Sequence, residues 1–305
     1  MSNSPVSEVG LSAPELDDLW ARTVTQTERG KRSGALQPIR TQVDRIRQRN
    51  VDIIVHSLAP RDPKALALAA QHRAQERGNP ADPFLPPYDP DLFVADLSPT
   101  HVLVLNKFPV LAHHLLIVTR HDEAQTNLLT LGDFQAVWRV LAQVDGLAFF
   151  NGGRMAGASQ PHKHVQLVPF ESNAHVMPLE PGILEPGGLP FRHVLARLDP
   201  RLAHDPSPDL SPDPNAAARS SFVHYHHLLR RLGLMRRLGD PAQPGPYNLL
   251  FTRRWMLLVP RRHEKSAGLG VNGMGFAGSL LVRNREQMAY LRRRSPLLFL
   301  RDVVG

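Results

Sequence analysis

With 305 residues, 42% of them hydrophobic, and no cysteine, the chain can build a substantial core but excludes disulfides, thiolate nucleophiles and cysteine zinc sites. Its formal charge of +8 favours an anionic partner, either nucleic acid or a phosphorylated small molecule, with a solvated basic face as the plain alternative. Aromatic residues make up only 6% and do not interleave with the basic cluster Arg292-Arg293-Arg294, which argues against a surface for single-stranded nucleic acid.

No run approaches the roughly 18 apolar residues that span a bilayer. The first residues, MSNSPVSEVGLSAPELDDLW, carry acids rather than a basic segment followed by an apolar one, so the expectation is a cytoplasmic protein without a membrane partner. Leu16, Leu19 and Trp20 at helical spacing predict a leading helix. Val51, Ile53 and Val55 alternate, which predicts a strand after a charged turn. Lys64 follows in RDPKA. From Gly78 to Pro99 proline and aspartate are dense, which reads as a crossing loop ahead of the sheet.

Four short runs are then β-prone: Val102–Leu105, Leu115–Thr119, Leu147–Phe150 and His164–Val168. The first two are joined closely enough for an antiparallel pair. Between the second and third, Thr130 and Asp133 form a capping box ahead of Phe134, Val137, Trp138 and Leu141, a helix with one apolar face. This sets up an α+β fold with a mostly antiparallel sheet flanked by helices. Residues 200–218 look like a linker. Beyond it a helix around Phe222–Leu232 carries His224, His226 and His227, which at i, i+2 and i+3 do not converge on one metal. The hairpin YNLLFTRRWMLLVPR, a glycine-rich run and a basic helix complete the chain. Gly268 to Gly273 matches G-x-G-x-x-G in form, yet it follows a polar stretch and lacks a downstream acid, so a dinucleotide site is rejected.

The chemistry concentrates in NGGRMAGASQPHKHVQLVPF, residues 151–170. After Pro161, His162, His164 and Gln166 fall at i, i+2 and i+4, hence on one face of an extended chain. The small-residue loop before them lets a ligand approach backbone N–H groups. Three readings stand. Two histidines at i, i+2 can ligate zinc, although no third ligand is evident. They can be structural. Or an imidazole can act on a phosphate, with Gln166, a neutral donor, on a phosphoryl oxygen.

H-x-H-x-Q after G-A-S-Q-P, with LNKFP and HLLIVT upstream, resembles the branch of the histidine triad superfamily that contains diadenosine tetraphosphate phosphorylase, also called ATP adenylyltransferase. The similarity extends over GALQPI, PFLPPYDPDLFV, YNLLFTRRWMLLVPR and VNGMGFAGSLLVR, nearly the whole chain. It implies a histidine-triad-like catalytic domain over residues 1–199, the linker at 200–218 and an ATP adenylyltransferase domain over 219–305.

By the same resemblance His164 is the nucleophile, His162 orients it, and Gln166 replaces the third histidine of the triad hydrolases. A polyphosphate departs without protonation, so a neutral amide on the phosphoryl oxygens suffices there. Expected substrate contacts are Asn151, Gly157, Ala158, Ser159, Gln160 and Gln166, with Lys64, Asn106 and Lys107 upstream. Asn272, Gly273, Met274, Ser279 and Arg283 would serve the second nucleotide. The family's serine and lysine are Gly273 and Arg283 here. The implied partners are diadenosine tetraphosphate, ATP, ADP and inorganic phosphate, with Mg2+ or Mn2+ carried by the nucleotide and no resident metal or tightly bound cofactor. Phosphorolysis to ATP and ADP is the expected reaction. A hydrolase using water, or a non-catalytic nucleotide-binding protein on the same fold, are the alternatives.

Overall fold

The alternating runs pair into an eight-stranded sheet in the computed structural model, which describes residues 18–58, 82–173, 177–199, 213–235, 237 and 241–305. In chain order the first elements are α1 (Leu19–Ser33), β1 (Thr41–Gln48), β2 (Val51–Leu58), β3 (Phe93–Ser98), β4 (His101–Leu105) and β5 (Leu115–Thr119). Next come α2 (Leu131–Leu141), β6 (Gly146–Asn151), β7 (His164–Pro169), α3 (Glu180–Leu184), β8 (Val194–Arg197) and α4 (Pro214–Leu232). The chain ends with β9 (Tyr247–Phe251), β10 (Trp255–Pro260), β11 (Lys265–Ser266), β12 (Leu269–Gly270), α5 (Gly273–Ala277), β13 (Ser279–Val282), α6 (Arg285–Arg294) and α7 (Pro296–Asp302).

The large sheet runs β3-β4-β5-β7-β6-β9-β10-β8 and is antiparallel throughout. Strands from both ends of the chain meet in it, since β6 pairs with β9 from Ala148↔Phe251 to Asn151↔Asn248. A smaller sheet, β1-β2-β13, joins the start of the chain to its end through a parallel β2–β13 pair.

Period-two alternation sends the two faces of the large sheet to different cores. Leu103, Leu115, Ile117, Val165, Leu167, Ala148 and Phe150 face one cluster, where they meet α1, α2 and α4. Trp138, 2% exposed, donates its indole N–H to Ser221 Oγ at 2.8 Å and so ties α2 to α4. Truncating such a side chain costs about 3–5 kcal/mol. On the opposite face Leu147, Phe149, Val168 and Leu250 pack under the C-terminal elements. Val102, Leu116 and Val118 form a smaller patch with Phe84 on that side. His164 and Gln166, in alternate register with Val165 and Leu167, fall between these two apolar patches.

Two expectations need correction, and one strand was not expected. The stretch 41–48, ahead of the charged turn at Arg49-Asn50, is β1, whose residues are all exposed or half-buried. With solvent near both faces it needs no apolar period, so its strand signal is hidden. The proline-rich loop ends earlier than Pro99, because Phe93–Ser98 is β3 and the sheet begins there. Residues 214–218 open α4 instead of extending the linker: the Asp213 side chain caps Asn215 N–H at 2.8 Å and Pro214 takes the first helical position, a start signal that the aspartate-proline composition masks. Leu16, Lys64 and residues 200–212 lie outside the described residues. No described helix is long and apolar enough to cross a membrane.

Candidate active site

The residue order His162-Lys163-His164 puts alternate side chains on opposite faces, and the structure exploits both. Lys163 turns to the helix-covered face, where its ammonium meets Asp133 at 2.7 Å, Glu123 at 2.8 Å and the Leu128 carbonyl at 3.0 Å. Asp133 also closes the capping box of α2 and accepts from His101 Nε2 at 2.9 Å. Burial alone would raise the Asp133 carboxyl, but the His101 hydrogen bond and the Lys163 charge outweigh it and hold it below the usual carboxylate range. Strand β7 is thereby pinned to the first turn of α2.

On the other face His164 is 4% exposed. Its Nδ1–H donates to the His162 carbonyl at 2.9 Å, and its ring lies 5.1 Å from the Phe84 ring. The tautomer is set by that carbonyl, which can only accept, so Nε2 carries the lone pair. Burial holds the His164 ring neutral down to about 4, despite the main-chain hydrogen bond that acts the other way. Among the described residues no group hydrogen-bonds Nε2. Gln125, 2% exposed, clips the backbone of the same residue: Oε1 accepts from His164 N–H at 2.8 Å, and Nε2 donates to the His164 carbonyl at 3.2 Å and the Asn151 carbonyl at 2.9 Å.

His162 is anchored twice, Nδ1 to Asp82 Oδ2 at 2.6 Å and Nε2 to the Thr119 carbonyl at 2.7 Å. Its carbonyl is thus held where His164 needs it. Asp82, Asp122 and His162 have ligand atoms within 4.8 Å of one another, the one metal-capable grouping among the described residues. Both His162 nitrogens already have protein partners, however, so this set suits an ion pair with an exposed acid beside it better than a resident cation. His224, His226 and His227 do not join a metal-capable group among the described residues.

The loop before His162 is held from the C-terminal half. Asn248 on β9 donates to Asn151 Oδ1 and to the Ala156 carbonyl, both at 2.8 Å. Arg261, 4% exposed, reaches Ala156 O at 3.2 Å, Asn248 Oδ1 at 2.7 Å and Val271 O at 2.8 Å. Gly157 closes a 3-10 turn at φ 89°, and a Cβ there would come 2.5 Å from the Val271 carbonyl oxygen. Only glycine allows both the conformation and the approach.

The expected contact residues therefore divide. Asn151, 1% exposed, accepts at Oδ1 from Asn248 Nδ2 and from Gly273 N–H, both at 2.8 Å, so it couples the loop to α5. Asn272 caps α5 by accepting from Met274 N–H at 3.1 Å. Gly157, Asn272 and Gly273 are brought together, with Met274 9% exposed beside them. The N–H groups of Ala156, Gly157 and Ala158 close the turn onto Gly153 and Arg154 carbonyls, so those three are engaged within the loop. Ser159 is exposed and Gln160 half-buried, next to His162. Ser279, paired with Ile54, and Arg283, whose N–H binds Gln287 Oε1 at 2.8 Å, belong to the smaller sheet and its exit. Lys107 is exposed, 5.6 Å over the Phe108 ring. Asn106 faces inward to His114.

Asp82, Thr119, Gln125, Asn248 and Arg261 escape a sequence reading. Thr119, Asn248 and Arg261 stood inside quoted motifs, but nothing in their spacing shows a partner, and Asp82 is one of many aspartates among prolines.

A neutral imidazole with Nδ1 bound and Nε2 clear of described partners is equipped to act as a nucleophile in group transfer. Residues 11–185 match the family model of the Ap4A phosphorylase N-terminal domain, and residues 187–304 that of the ATP adenylyltransferase C-terminal domain. The chain belongs to this family. It is 27% identical over 266 residues to diadenosine 5',5'''-P1,P4-tetraphosphate phosphorylase 2 of Saccharomyces cerevisiae, covering 74% of this chain and 76% of that one. Its fold is similar to yeast Ap4A phosphorylase Apa2, with TM-score 0.69, 23% identity and coverage of 94% and 96% of the two chains. A structure of Apa2 in complex with Ap4A gives TM-score 0.67 at 24% identity, with the same coverage.

Proposed function

We propose that the protein cleaves diadenosine tetraphosphate with inorganic phosphate, releasing ATP and ADP through an adenylyl group carried on His164. The carrying observation is the tautomer: His164 Nδ1–H is committed to the His162 carbonyl at 2.9 Å, so the lone pair sits on Nε2. Nε2 attacks the α-phosphorus of one adenosine. A nitrogen–phosphorus bond forms, the bond from that phosphorus to the bridging oxygen breaks, and ATP departs with the electron pair. A phosphate oxygen then attacks the same phosphorus, releases His164 and yields ADP. The neutral Gln166 amide donates to the phosphoryl oxygens as charge builds there, while Ser159 offers a hydroxyl from the loop. Mg2+ or Mn2+ would enter with the polyphosphate, with exposed Asp122 as the nearby acid.

Phosphate must outcompete water for the adenylyl group. Oriented reactants reach effective molarities of about 10⁵ M or more, so a held phosphate can do so. Nucleotide chromatography after incubation in oxygen-18 water tests this: ATP plus ADP should form at a rate that rises with phosphate and falls to a trace without it. ATP plus labelled AMP, formed equally fast without phosphate, would make the protein a hydrolase. Tight nucleotide binding with no turnover would make it a non-catalytic binder.

A further inference from the structure

A histidine outside the H-x-H-x-Q motif stands beside its glutamine, and its tautomer can be read from the chain around it. Phe108 N–H donates to Asn106 Oδ1 at 3.1 Å, which fixes the direction of that amide. Its other end, Nδ2, faces His114 Nδ1 at 3.2 Å. An amide nitrogen only donates, so Nδ1 accepts and the ring proton sits on Nε2. This is the opposite tautomer to that of His164.

Nε2 of His114 is enclosed and has no hydrogen-bond partner. Leaving such a donor unmet costs about 1–3 kcal/mol, so its neighbours matter. Leu116 lies opposite Gln166 in the β5–β7 ladder, and His114, two residues before Leu116, shares that face. Gln166 also pairs with Phe149, and the His114 ring lies 5.9 Å from the Phe149 ring. Burial pushes the His114 ring down to about 4, opposed by the neighbouring Gln166 side chain and helped by nearby His164. It is a neutral donor on the sheet face that carries Gln166.

Resting on the reading of His164 and Gln166 given above, we propose that His114 is a positioning residue: its Nε2–H holds the carbonyl end of the Gln166 amide, so that the NH2 end faces the reacting phosphoryl group. A glutamine amide presents an acceptor and a donor of nearly the same shape. With oxygen toward the phosphate it repels the developing charge, and with nitrogen it stabilises that charge. A partner that can only donate selects the second arrangement, and Asn106 ensures that His114 can only donate at Nε2. Asn106 thus acts two steps from the substrate.

The test is a double-mutant cycle on kcat and KM for ATP release from diadenosine tetraphosphate and phosphate. His114→Phe keeps a ring against Phe149 and removes the donor; kcat should fall about 10- to 100-fold, the worth of one buried hydrogen bond, with KM little changed. In a Gln166→Ala background, itself down about 10²- to 10³-fold, the same change should cost less than about twofold. His114→Gln, which restores a donor near the Nε2 position, should recover most of the loss. Equal losses in both backgrounds, or a raised KM at constant kcat, would overturn the assignment. Nitrogen-15 NMR of the resting protein reads the proposal without any turnover: the His114 proton should sit on Nε2, and His114→Phe should shift the Gln166 side-chain amide. A His114 ring protonated on Nδ1 sinks the proposal even if His164 is the nucleophile. Conversely, an inactive enzyme with the expected tautomer and amide shift would refute the phosphorolysis reading alone.

Discussion

On one side of β7 the Lys163 ammonium, 1% exposed, is enclosed by two carboxylates and a carbonyl. On the other, His164, 4% exposed, binds a carbonyl through Nδ1 and keeps Nε2 clear of every described group. The two clusters lie within a few residues of each other. They differ in completeness. A buried polar group with every bond made adds rigidity and has nothing left for a ligand, whereas one with a bond withheld is held ready for a partner that arrives later. The closed cluster joins the strand to α2, and that fixed strand lets the open cluster keep its geometry without substrate.

The sharpest test of this contrast is His164→Ala. Turnover should fall by at least about four orders of magnitude, as when a covalent nucleophile is deleted, while calorimetry still finds nucleotide binding. Near-normal turnover would remove His164 from the reaction. Lys163→Met probes the closed side. It strands the buried Asp133 carboxylate, so urea unfolding should show a loss of about 3–5 kcal/mol, with turnover per folded molecule affected far less than in His164→Ala. An unchanged stability with collapsed turnover would reverse the assignment of the two faces.

A further test is the pH dependence. In the unfolded chain these histidines take up protons near 6.5, but in the fold burial holds His164 and His114 neutral to about 4. Between those values the unfolded state binds more protons, so stability is full above about pH 6.5 and falls as pH drops toward 4. The slope approaches about 1.4 kcal/mol per pH unit for each group. Asp133, held low, contributes in the same sense but at more acid pH. Thermal melts between about pH 4 and 7.5 would show the decline, and kcat/KM should persist to about pH 5 before His164 protonates. A kcat/KM already halved at pH 6.5 would mean that burial does not depress His164.

What the sequence determined by itself is whatever depends on neighbours in the chain. The face shared by His162, His164 and Gln166 follows from strand periodicity. The cap at Thr130–Asp133 follows from side chains three residues apart, and even the acceptor for His164 Nδ1 is a carbonyl only two residues back. The exposed strand β1 and the start of α4 were local too, but lacked an apolar period or hid behind proline. The tertiary structure alone decided which distant groups complete the site: Asp82 comes from 80 residues away to His162, and Gln125 from 39 residues away to the backbone of His164. Asn248 and Arg261 hold the loop from across the chain because β9 pairs with β6. Such partners carry no spacing signature, since strand order, not sequence separation, brings them together. Whether a buried nitrogen ends up satisfied or waiting is settled by that assembly.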